Sequence, residues 1–181
     1  MSRCIQPGST IGIIGGGQLG RMMALAAKQM GYRIAVLEPT PDSPCAQVAD
    51  VVVEAAYNER EGALQLANVS DLITYEFENI DENTASWLAE QSYFPQGHKL
   101  LHLTQNRLRE KETIEAQRFQ VAPFTAIRSE KDVAGAAERI GFPAVLKTCE
   151  GGYDGKGQAL VHSLEELETQ PQPYWHTVSW Y

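Results

Sequence analysis

The sequence lacks the features of a membrane protein, a disulfide-rich secreted domain or a general nucleic-acid binder. No apolar run approaches the roughly 18 residues of a membrane span, and the first residues lack the basic-then-apolar pattern of a secretory signal. Three cysteines occur among 181 residues, without metal-site spacing, so we expect a reduced, cytoplasmic protein. The net charge of −8 predicts neither a nucleic-acid nor a membrane partner.

Metal-ligand spacing, internal repeats and low-complexity segments are also missing. The four histidines are scattered, so the sequence predicts no metal-ligand set. What the chain does contain is 43% hydrophobic and 21% charged residues, which is enough apolar material for a packed core. Its length allows one large domain or two small ones.

The first half of the chain alternates strand and helix patterns. Short buried strands are predicted at residues 10–15, 33–37, 51–53 and 71–75. Apolar residues recur at helical spacing from Leu19 to Met30, and Asp81 has the chemistry of an N-cap for a helix over residues 81–91. Strands separated by helices imply βαβ units and a Rossmann-like parallel sheet.

The pattern changes around Pro95-Gln96-Gly97, where we place a boundary between a domain of residues 1–97 and a second unit of residues 98–181. The second unit is predicted to hold a polar helix over 100–117, strands at 124–127, 144–148 and 159–161, and helices at 130–140 and 164–167. The last eleven residues, PQPYWHTVSWY, follow neither period. We therefore expect the chain to be a portion of a longer protein.

A glycine turn follows the first strand. Gly15, Gly17 and Gly20 fit the pattern G-x-G-x-x-G, and Glu38 lies 18 residues later at the end of the second strand. This pattern is typical of an NAD(P)-dependent oxidoreductase, in which backbone N–H groups meet the pyrophosphate and the acid binds ribose. Another phosphorylated ligand or a purely structural turn remains open, and the polar Gln18 and Arg21 favour a different phosphorylated ligand.

A second glycine-rich loop follows a lysine. Lys147 stands near the end of the apolar run AVLKT, and residues 152–158 read GYDGKGQ. A strand lysine and a mobile glycine loop are groups that can surround a polyphosphate, as they do in kinases. The alternative is an exposed hairpin turn in which only the stem of Lys147 is buried.

Four segments together resemble a known family. GGGQLGRM after the first strand, TYEFENI at 74–80, QNRLREK at 105–111 and VLKTCEGGYDGKGQ at 145–158 resemble the ATP-grasp carboxylate–amine ligases, and most closely those of purine biosynthesis that carboxylate aminoimidazole ribonucleotide. The resemblance covers residues from about 10 to 168. It implies an α/β fold, with a Rossmann-like pre-ATP-grasp domain over 1–97 followed by a linker helix and a partial α+β ATP-grasp subdomain over 98–181.

The resemblance also implies site residues. The residues matching the family's ATP site are Arg107, Lys147, Gly152, Tyr153, Asp154, Gly155, Lys156, Gly157 and Gln158, with Lys147 and Lys156 as the catalytic pair. The residues matching its substrate site are Gln18, Leu19, Glu76, Tyr153, Asp154 and Lys156. Arg107 and Lys147 would neutralise phosphate oxygens while loop amides donate hydrogen bonds.

The implied reaction joins bicarbonate to the amine of aminoimidazole ribonucleotide at the expense of ATP, with Mg²⁺ on the phosphates. The implied partners are therefore small molecules, and a homodimer is one option. Residues 171–181 depart from the family pattern, which should continue with an apolar strand ending in glutamate. A catalytically inactive nucleotide-binding fragment is thus a further alternative.

Overall fold

In the computed structural model, residues 3–151, 156–170 and 177–180 are described. The chain forms two compact units, Met1–Leu101 and His102–Tyr181. The elements that begin in the first unit are β1 (Thr10–Ile14), α1 (Gln18–Gln29), β2 (Arg33–Leu37), β3 (Val51–Val53), α2 (Arg60–Asn68), β4 (Leu72–Tyr75), α3 (Glu82–Gln91) and α4 (Lys99–Thr104).

The first unit is built on a four-stranded parallel sheet with the order β3-β2-β1-β4. Residue Ile14 of β1 pairs with Leu37 of β2 on one side and with Tyr75 of β4 on the other. All of the predicted strands are present and parallel, so the predicted α/β fold class is confirmed. Because the chain leaves β1 towards β2 and later returns to pair β4 on the opposite side, the carboxyl end of β1 is a topological switch point.

Strand alternation gives this sheet two buried faces. Ile13 and Val36 pack with Ala24 and Ala27 of α1 on one face. On the other face, the core consists of Ile14, Ala35, Leu37, Val53, Ala63, Leu66, Ile73, Tyr75, Ile80, Ala85, Leu88, Phe94 and Leu101. Consecutive strand residues point to opposite sides, so one short strand such as β1 serves both cores.

Helix α1 buries small residues instead of its large ones. Gly20, Ala24 and Ala27 are the buried positions of the helix. In contrast, Leu19 and Met22 are each 58% exposed and Met30 is 61% exposed. The apolar periodicity predicts the helix correctly, but small residues are what allow it to lie close to the sheet.

Two helices of the first unit show the limits of the pattern. The predicted helix at 81–91 is confirmed as α3, and the Asp81 side chain accepts a hydrogen bond of 2.7 Å from the Thr84 N–H. Helix α2 was not predicted from the sequence. It buries only Gly62, Ala63 and Leu66, which is a weak apolar stripe.

The second unit contains an antiparallel sheet. Its elements after α4 are α5 (Arg107–Ala116), β5 (Phe124–Thr125), α6 (Glu130–Ile140), β6 (Ala144–Lys147), β7 (Gln158–Val161), α7 (Leu164–Glu168) and β8 (Thr177–Trp180). The strand order is β5-β8-β6-β7, with every pair antiparallel. Residues Ile127, Val133, Ala136, Ile140, Ala144, Leu146, Val161 and Leu167 form its core.

The carboxyl-terminal segment corrects a sequence interpretation. Residues 171–181 were expected to carry no strand, yet β8 lies inside the sheet between β5 and β6. A four-residue strand is too short to show a period of its own, so its pairing with β6 decides its conformation. Within the described ranges of the chain, no helix is both long and apolar enough to cross a bilayer.

The predicted polar helix over 100–117 is two helices. It breaks at Gln105 and Asn106, and the Asn106 side chain caps α5 by accepting a hydrogen bond of 3.1 Å from the Arg109 N–H. Arg109 in turn donates to the carbonyl oxygen of His102 at 2.6 Å, across the break. Asparagine prefers the cap position to the helix interior, which explains the break.

Candidate functional site

The glycine turn and two carboxylates gather at one edge of the parallel sheet. Gly15 follows β1, Glu38 follows β2 and Glu76 follows β4. Since Ile14 is in register with both Leu37 and Tyr75, the next residue of each strand lies at the same edge. Ligands of open parallel sheets bind at this carboxyl edge.

Close packing explains why glycine occupies this turn. Gly15 has a φ of +106°, and a Cβ at Gly16 would lie 2.5 Å from both the Glu38 Cγ and the Ser43 Oγ. Such contacts are far shorter than van der Waals distance. The glycines therefore let side chains of the following strands approach the backbone.

Two backbone N–H groups of the turn are already used inside the protein. Gly15 donates to the Leu37 carbonyl oxygen at 3.1 Å, and Gly16 donates to Glu38 Oε2 at 2.7 Å. The prediction that amides of this turn meet a ligand anion therefore applies to the N–H groups that follow Gly16. These groups include those of Gln18 and Leu19, in the first turn of α1.

Glu38 holds the turn together. Its carboxylate is only 7% exposed and accepts hydrogen bonds from the Gly16 N–H at 2.7 Å, the Tyr57 hydroxyl at 2.5 Å and the Thr40 N–H at 3.0 Å. Burial alone would raise the pKa of Glu38, but these donors outweigh it and the pKa is lowered. A carboxylate buried in this way is poorly placed to bind a ribose, which disfavours the NAD(P) interpretation.

Glu76 has the opposite electrostatic environment. Burial raises its pKa, the Gly17 N–H works against that shift, and the charges of Glu38 and Glu78 add to it. The side chain of Glu76 remains partly exposed, whereas that of Glu38 is buried. Of the two carboxylates, Glu76 is therefore the one that a ligand with hydroxyl or amine donors can reach.

Helix α1 presents Gln18 and Leu19 to solvent and uses Arg21 internally. Gln18 is exposed, and Leu19 is 58% exposed. The Arg21 guanidinium donates to the Pro44 carbonyl oxygen at 3.0 Å and to the Gln47 side chain at 2.7 Å. Arg21 thus holds the segment after β2, while Gln18 and Leu19 remain accessible at the helix N-terminus.

In the second unit, Lys147, Gly157 and Gln158 lie at the end of a β-hairpin. Lys147 pairs with Gln158 as the last pair of β6 and β7, and the Thr148 N–H donates to the Gly157 carbonyl oxygen at 2.8 Å. Gly157 has a φ of +68° and Lys156 is exposed. The predicted site residues Gly152, Tyr153, Asp154 and Gly155 lie outside the described residues.

The N-terminus of α5 is attached to the chain that leaves β6. The Arg107 N–H donates to the Cys149 carbonyl oxygen at 2.8 Å, and the Asn106 side chain donates to Glu150 Oε1 at 3.0 Å. These bonds bring Arg107 near Lys147. Burial lowers the pKa of Lys147, and the positive charge of Arg107 lowers it further.

A third cation belongs to this cluster and was missed in the sequence. Burial lowers the pKa of Lys111, and so do the charges of Lys147 and Arg107, against a weaker opposite effect of Glu110. The available signal was its position four residues after Arg107, which puts both side chains on one helix face. We name Arg107, Lys111 and Lys147 the cationic cluster.

Metal-ligating side chains do not assemble in the described part of the chain. Across residues 3–151, 156–170 and 177–180, no group of three His, Cys, Asp or Glu side chains could hold a metal ion. The buried Cys45 thiol has a pKa raised to about 11, first by burial and then by Glu76 and Glu38, so it is a poor ligand or nucleophile at neutral pH.

Family comparisons divide the chain much as the fold does. The ribonucleotide synthetase preATP-grasp domain family matches residues 8–105, and the ATP-grasp domain family matches residues 112–178. The N5-carboxyaminoimidazole ribonucleotide synthase of Bacillus subtilis (strain 168) is 53% identical over 164 residues, which is 91% of this chain and 43% of that protein. The chain thus spans less than half the length of this curated relative.

Solved structures agree with this assignment. An ADP complex of N5-carboxyaminoimidazole ribonucleotide synthetase has a TM-score of 0.93 at 48% identity, covering 100% of this chain and 49% of the other. The Staphylococcus aureus synthetase with ADP has a TM-score of 0.90 at 41% identity, covering 98% and 48%.

A more distant structure adds a second ligand. The Aspergillus clavatus synthase, in complex with ADP and 5-aminoimidazole ribonucleotide, has a TM-score of 0.83 at 25% identity, covering 96% of this chain and 46% of the other. The predicted combination of a pre-ATP-grasp domain with an ATP-grasp unit is therefore confirmed. The chain belongs to the ribonucleotide synthetase preATP-grasp family, continued by ATP-grasp sequence.

Proposed function

We propose that this protein takes part in the ATP-dependent carboxylation of 5-aminoimidazole ribonucleotide with bicarbonate, a step of purine biosynthesis. The observation that carries the proposal is the cationic cluster beside the glycine hairpin of an ATP-grasp unit. Converging cations beside a glycine loop suit a polyphosphate, because charge-assisted hydrogen bonds to phosphate oxygens are stronger than neutral ones. Solved structures of N5-carboxyaminoimidazole ribonucleotide synthetases with ADP or ATP bound are similar to the chain over nearly its full length.

In the second unit, we assign ATP binding to Arg107, Lys147 and the loop of residues 152–158. Arg107 begins α5 and Lys147 ends β6, and the bond from Arg107 N–H to the Cys149 carbonyl holds these two elements together. Lys147 and Lys156 are proposed as the catalytic cations. Their role is to stabilise charge as the γ-phosphoryl group leaves ADP.

In the first unit, we assign ribonucleotide binding to Gln18, Leu19 and Glu76. The N–H groups in the first turn of α1 suit a phosphate, since a helix N-terminus attracts anions. The partly exposed Glu76 carboxylate suits ribose hydroxyls or the reacting amine. Tyr153, Asp154 and Lys156 are proposed as further substrate contacts, and the first two lie outside the described residues.

The proposed chemistry proceeds in two steps. A bicarbonate oxygen attacks the γ-phosphorus of ATP, the bond to the bridging oxygen breaks, and ADP leaves with the electron pair. The substrate amine then takes the carboxyl group from carboxyphosphate, directly or as carbon dioxide, while inorganic phosphate leaves and the nitrogen loses a proton. Positioning and charge stabilisation supply most of the catalysis in such transfers.

We further propose Mg·ATP as the nucleotide form. Among the described residues, no three His, Cys, Asp or Glu side chains form a metal-binding group. Phosphate oxygens and water are the ligands that Mg²⁺ usually keeps in nucleotide sites.

The test begins with nucleotide binding by this chain. Isothermal titration with Mg·ATP and with NADH should show binding of ATP and weaker or no binding of NADH. A preference for NADH would contradict the ligase assignment and favour a dehydrogenase. Release of ADP that depends on both bicarbonate and aminoimidazole ribonucleotide would then separate a ligase from a catalytically inactive nucleotide-binding fragment.

We also propose a homodimer that forms through α1. The exposed side chains of Met22 and of Met30, the C-cap of α1, lie on one face, and exposed apolar side chains grouped in this way commonly mark interaction surfaces. Light scattering of the double variant Met22→Glu/Met30→Glu should show a monomer where the parent chain is a dimer. Leu64→Glu, at another exposed leucine, is the control that should leave the mass unchanged.

Two organisational proposals complete the assignment. We propose the reduced cytoplasm as the compartment, since Cys4, Cys45 and Cys149 are all free thiols. We place the functional domain boundary near residue 97, where Gly97 has a φ of +65° in the turn before α4. Limited proteolysis should cleave near this turn before it cleaves within either sheet.

A further inference from the structure

Lys111 lies on the same face of α5 as Arg107. The two residues are four apart in a helix, which places their side chains one turn from each other. The Lys111 ammonium lies 5.3 Å from the centroid of the Phe124 ring, in β5. Helix α5 buries none of its residues completely. Its position therefore depends on hydrogen bonds at its N-terminus and not on packing in a hydrophobic core.

The environment of Lys111 contains more positive than negative charge. Its neighbours Arg107 and Lys147 lower its pKa in addition to burial, and Glu110 opposes them weakly. Among the described residues, Lys111 makes no hydrogen bond or ion pair, and the Phe124 ring is the group that its ammonium faces. A half-buried ammonium beside two other cations is unfavourable unless an anion completes the arrangement.

Two roles are compatible with a lysine on an aromatic ring. In the first, the contact with Phe124 is structural and joins α5 to β5 through a cation–π interaction. In the second, the ring restricts the lysine to a position where it meets an anionic ligand. The two adjacent cations favour the second role, because a purely structural lysine would gain stability from acidic neighbours and lose it beside basic ones.

We infer that Lys111 is a third phosphate-binding residue of the second unit, which binds the phosphate chain of ATP together with Arg107 and Lys147. This inference rests on the proposed binding of ATP. A third cation adds one more charge-assisted contact to phosphate oxygens, and a triphosphate offers more of these oxygens than a diphosphate or a monophosphate. Lys111 therefore discriminates between nucleotides by their number of phosphates.

The test compares Lys111→Met with Lys131→Met in the 181-residue chain. Lys131 is an exposed lysine of α6 and is the matched control for loss of one positive charge. Dissociation constants are measured by titration for Mg·ATP, Mg·ADP, AMP and inorganic tripolyphosphate, and the melting temperature is measured without ligand. Lys111→Arg, which keeps the charge, is the rescue variant.

Lys111→Met should raise the dissociation constant for ATP about tenfold, which is the loss of one charge-assisted contact, and should affect ADP less and AMP hardly at all. Its melting temperature without ligand should be unchanged or higher, because a repulsive charge is gone. Lys131→Met should change neither quantity, and Lys111→Arg should restore most of the ATP affinity.

Two results would overturn the inference while leaving the proposed function intact. The first is that the parent chain and the Lys111→Met variant bind ATP with the same dissociation constant. The other is Lys111→Met lowering the melting temperature and weakening AMP and ATP alike, which identifies a structural role for the contact with Phe124. If the parent chain binds neither ATP nor tripolyphosphate, the proposed function and the inference fail together.

Discussion

The glycine turn after β1 and the glycine hairpin after β6 look alike in sequence and differ in charge. In the first, the Glu38 carboxylate accepts a hydrogen bond from the Gly16 N–H, and the Glu76 carboxylate follows the neighbouring strand at the same edge. In the second, Arg107, Lys111 and Lys147 bring positive charge to the base of the hairpin. Glycine lets other groups approach the backbone closely in both places. The charge of the neighbouring side chains decides whether the backbone N–H groups bond to the protein's own carboxylates or the region suits an anionic ligand.

The largest expected effect breaks the closed turn. Gly16→Ala places a Cβ 2.5 Å from the Glu38 Cγ and the Ser43 Oγ, so we expect a loss of about 3 kcal/mol in the free energy of unfolding. The control is Gly17→Ala, whose Cβ would meet only the flexible end of Glu76 at 3.1 Å. Urea denaturation measures both, and equal losses would contradict the account of the turn.

The next largest expected effect is a loss of ATP affinity when Lys147, at the base of the β6–β7 hairpin, loses its charge. Lys147→Met should weaken Mg·ATP binding by about 2 kcal/mol, roughly thirtyfold in the dissociation constant, because it removes a charge from the proposed phosphate site. It should leave the stability of the free chain unchanged or slightly higher, since Lys147 and Arg107 repel each other. An ATP titration beside a thermal melt tests this, and unaltered affinity would remove Lys147 from the site.

Neutralising the Glu38 and Glu76 carboxylates one at a time should change the free energy of unfolding in opposite directions. Glu38→Gln should lower the free energy of unfolding by about 1.5 kcal/mol, because the buried acceptor of three hydrogen bonds loses its charge. Glu76→Gln should raise it by about 0.5 kcal/mol, since ionised Glu76 is disfavoured by burial and by Glu38 and Glu78.

Ribonucleotide binding distinguishes these variants further. Glu76→Gln should weaken the binding of aminoimidazole ribonucleotide although the chain is more stable. Urea denaturation at pH 7 and a ribonucleotide titration measure the two effects. Changes of stability with the same sign in both variants would show that Glu38 and Glu76 have the same role in the turn.

The smallest expected effect is a dependence of the free energy of unfolding on pH through Glu38. The pKa of Glu38 is lowered from its ordinary value of 4.5, so the unfolded chain binds a proton more readily than the folded one. The stabilisation by Glu38 is therefore complete above about pH 4.5 and is lost as pH falls through the lower, folded pKa. Urea midpoints between pH 7 and pH 3.5 should fall more steeply for the parent chain than for Glu38→Gln, and parallel curves would contradict the assignment.

Elements with strong local patterns were predictable, and weakly patterned ones were not. The strand at 10–15 and the helix at 130–140 appear as β1 and α6, because buried runs and regular apolar spacing are local properties. Helix α2 has only a short apolar stripe, and β8 has four residues. Packing against distant parts of the chain, not local preference, decides the conformation of such segments.

The candidate site residues also divide into those that local sequence patterns predicted and those that depend on contacts between distant segments. A resemblance of motifs predicted Arg107 and Lys147 as site residues, but Lys111 became a candidate only when α5 was placed beside β6. In the other direction, the pattern G-x-G-x-x-G suggested amides open to an anion. The structure shows two amides of this turn bonded inside the protein, Gly15 to the Leu37 carbonyl oxygen and Gly16 to the Glu38 carboxylate.

The sequence by itself determined the alternation of strands and helices, the two glycine turns and the family to which the chain belongs. These follow from spacing between near neighbours, which a linear chain displays openly. Only the tertiary structure decided the electrostatic character of each turn, the partners of Glu38 and the strand position of the carboxyl-terminal segment. Charge and hydrogen bonding act through space, and residues far apart in the chain become neighbours only when the sheets form.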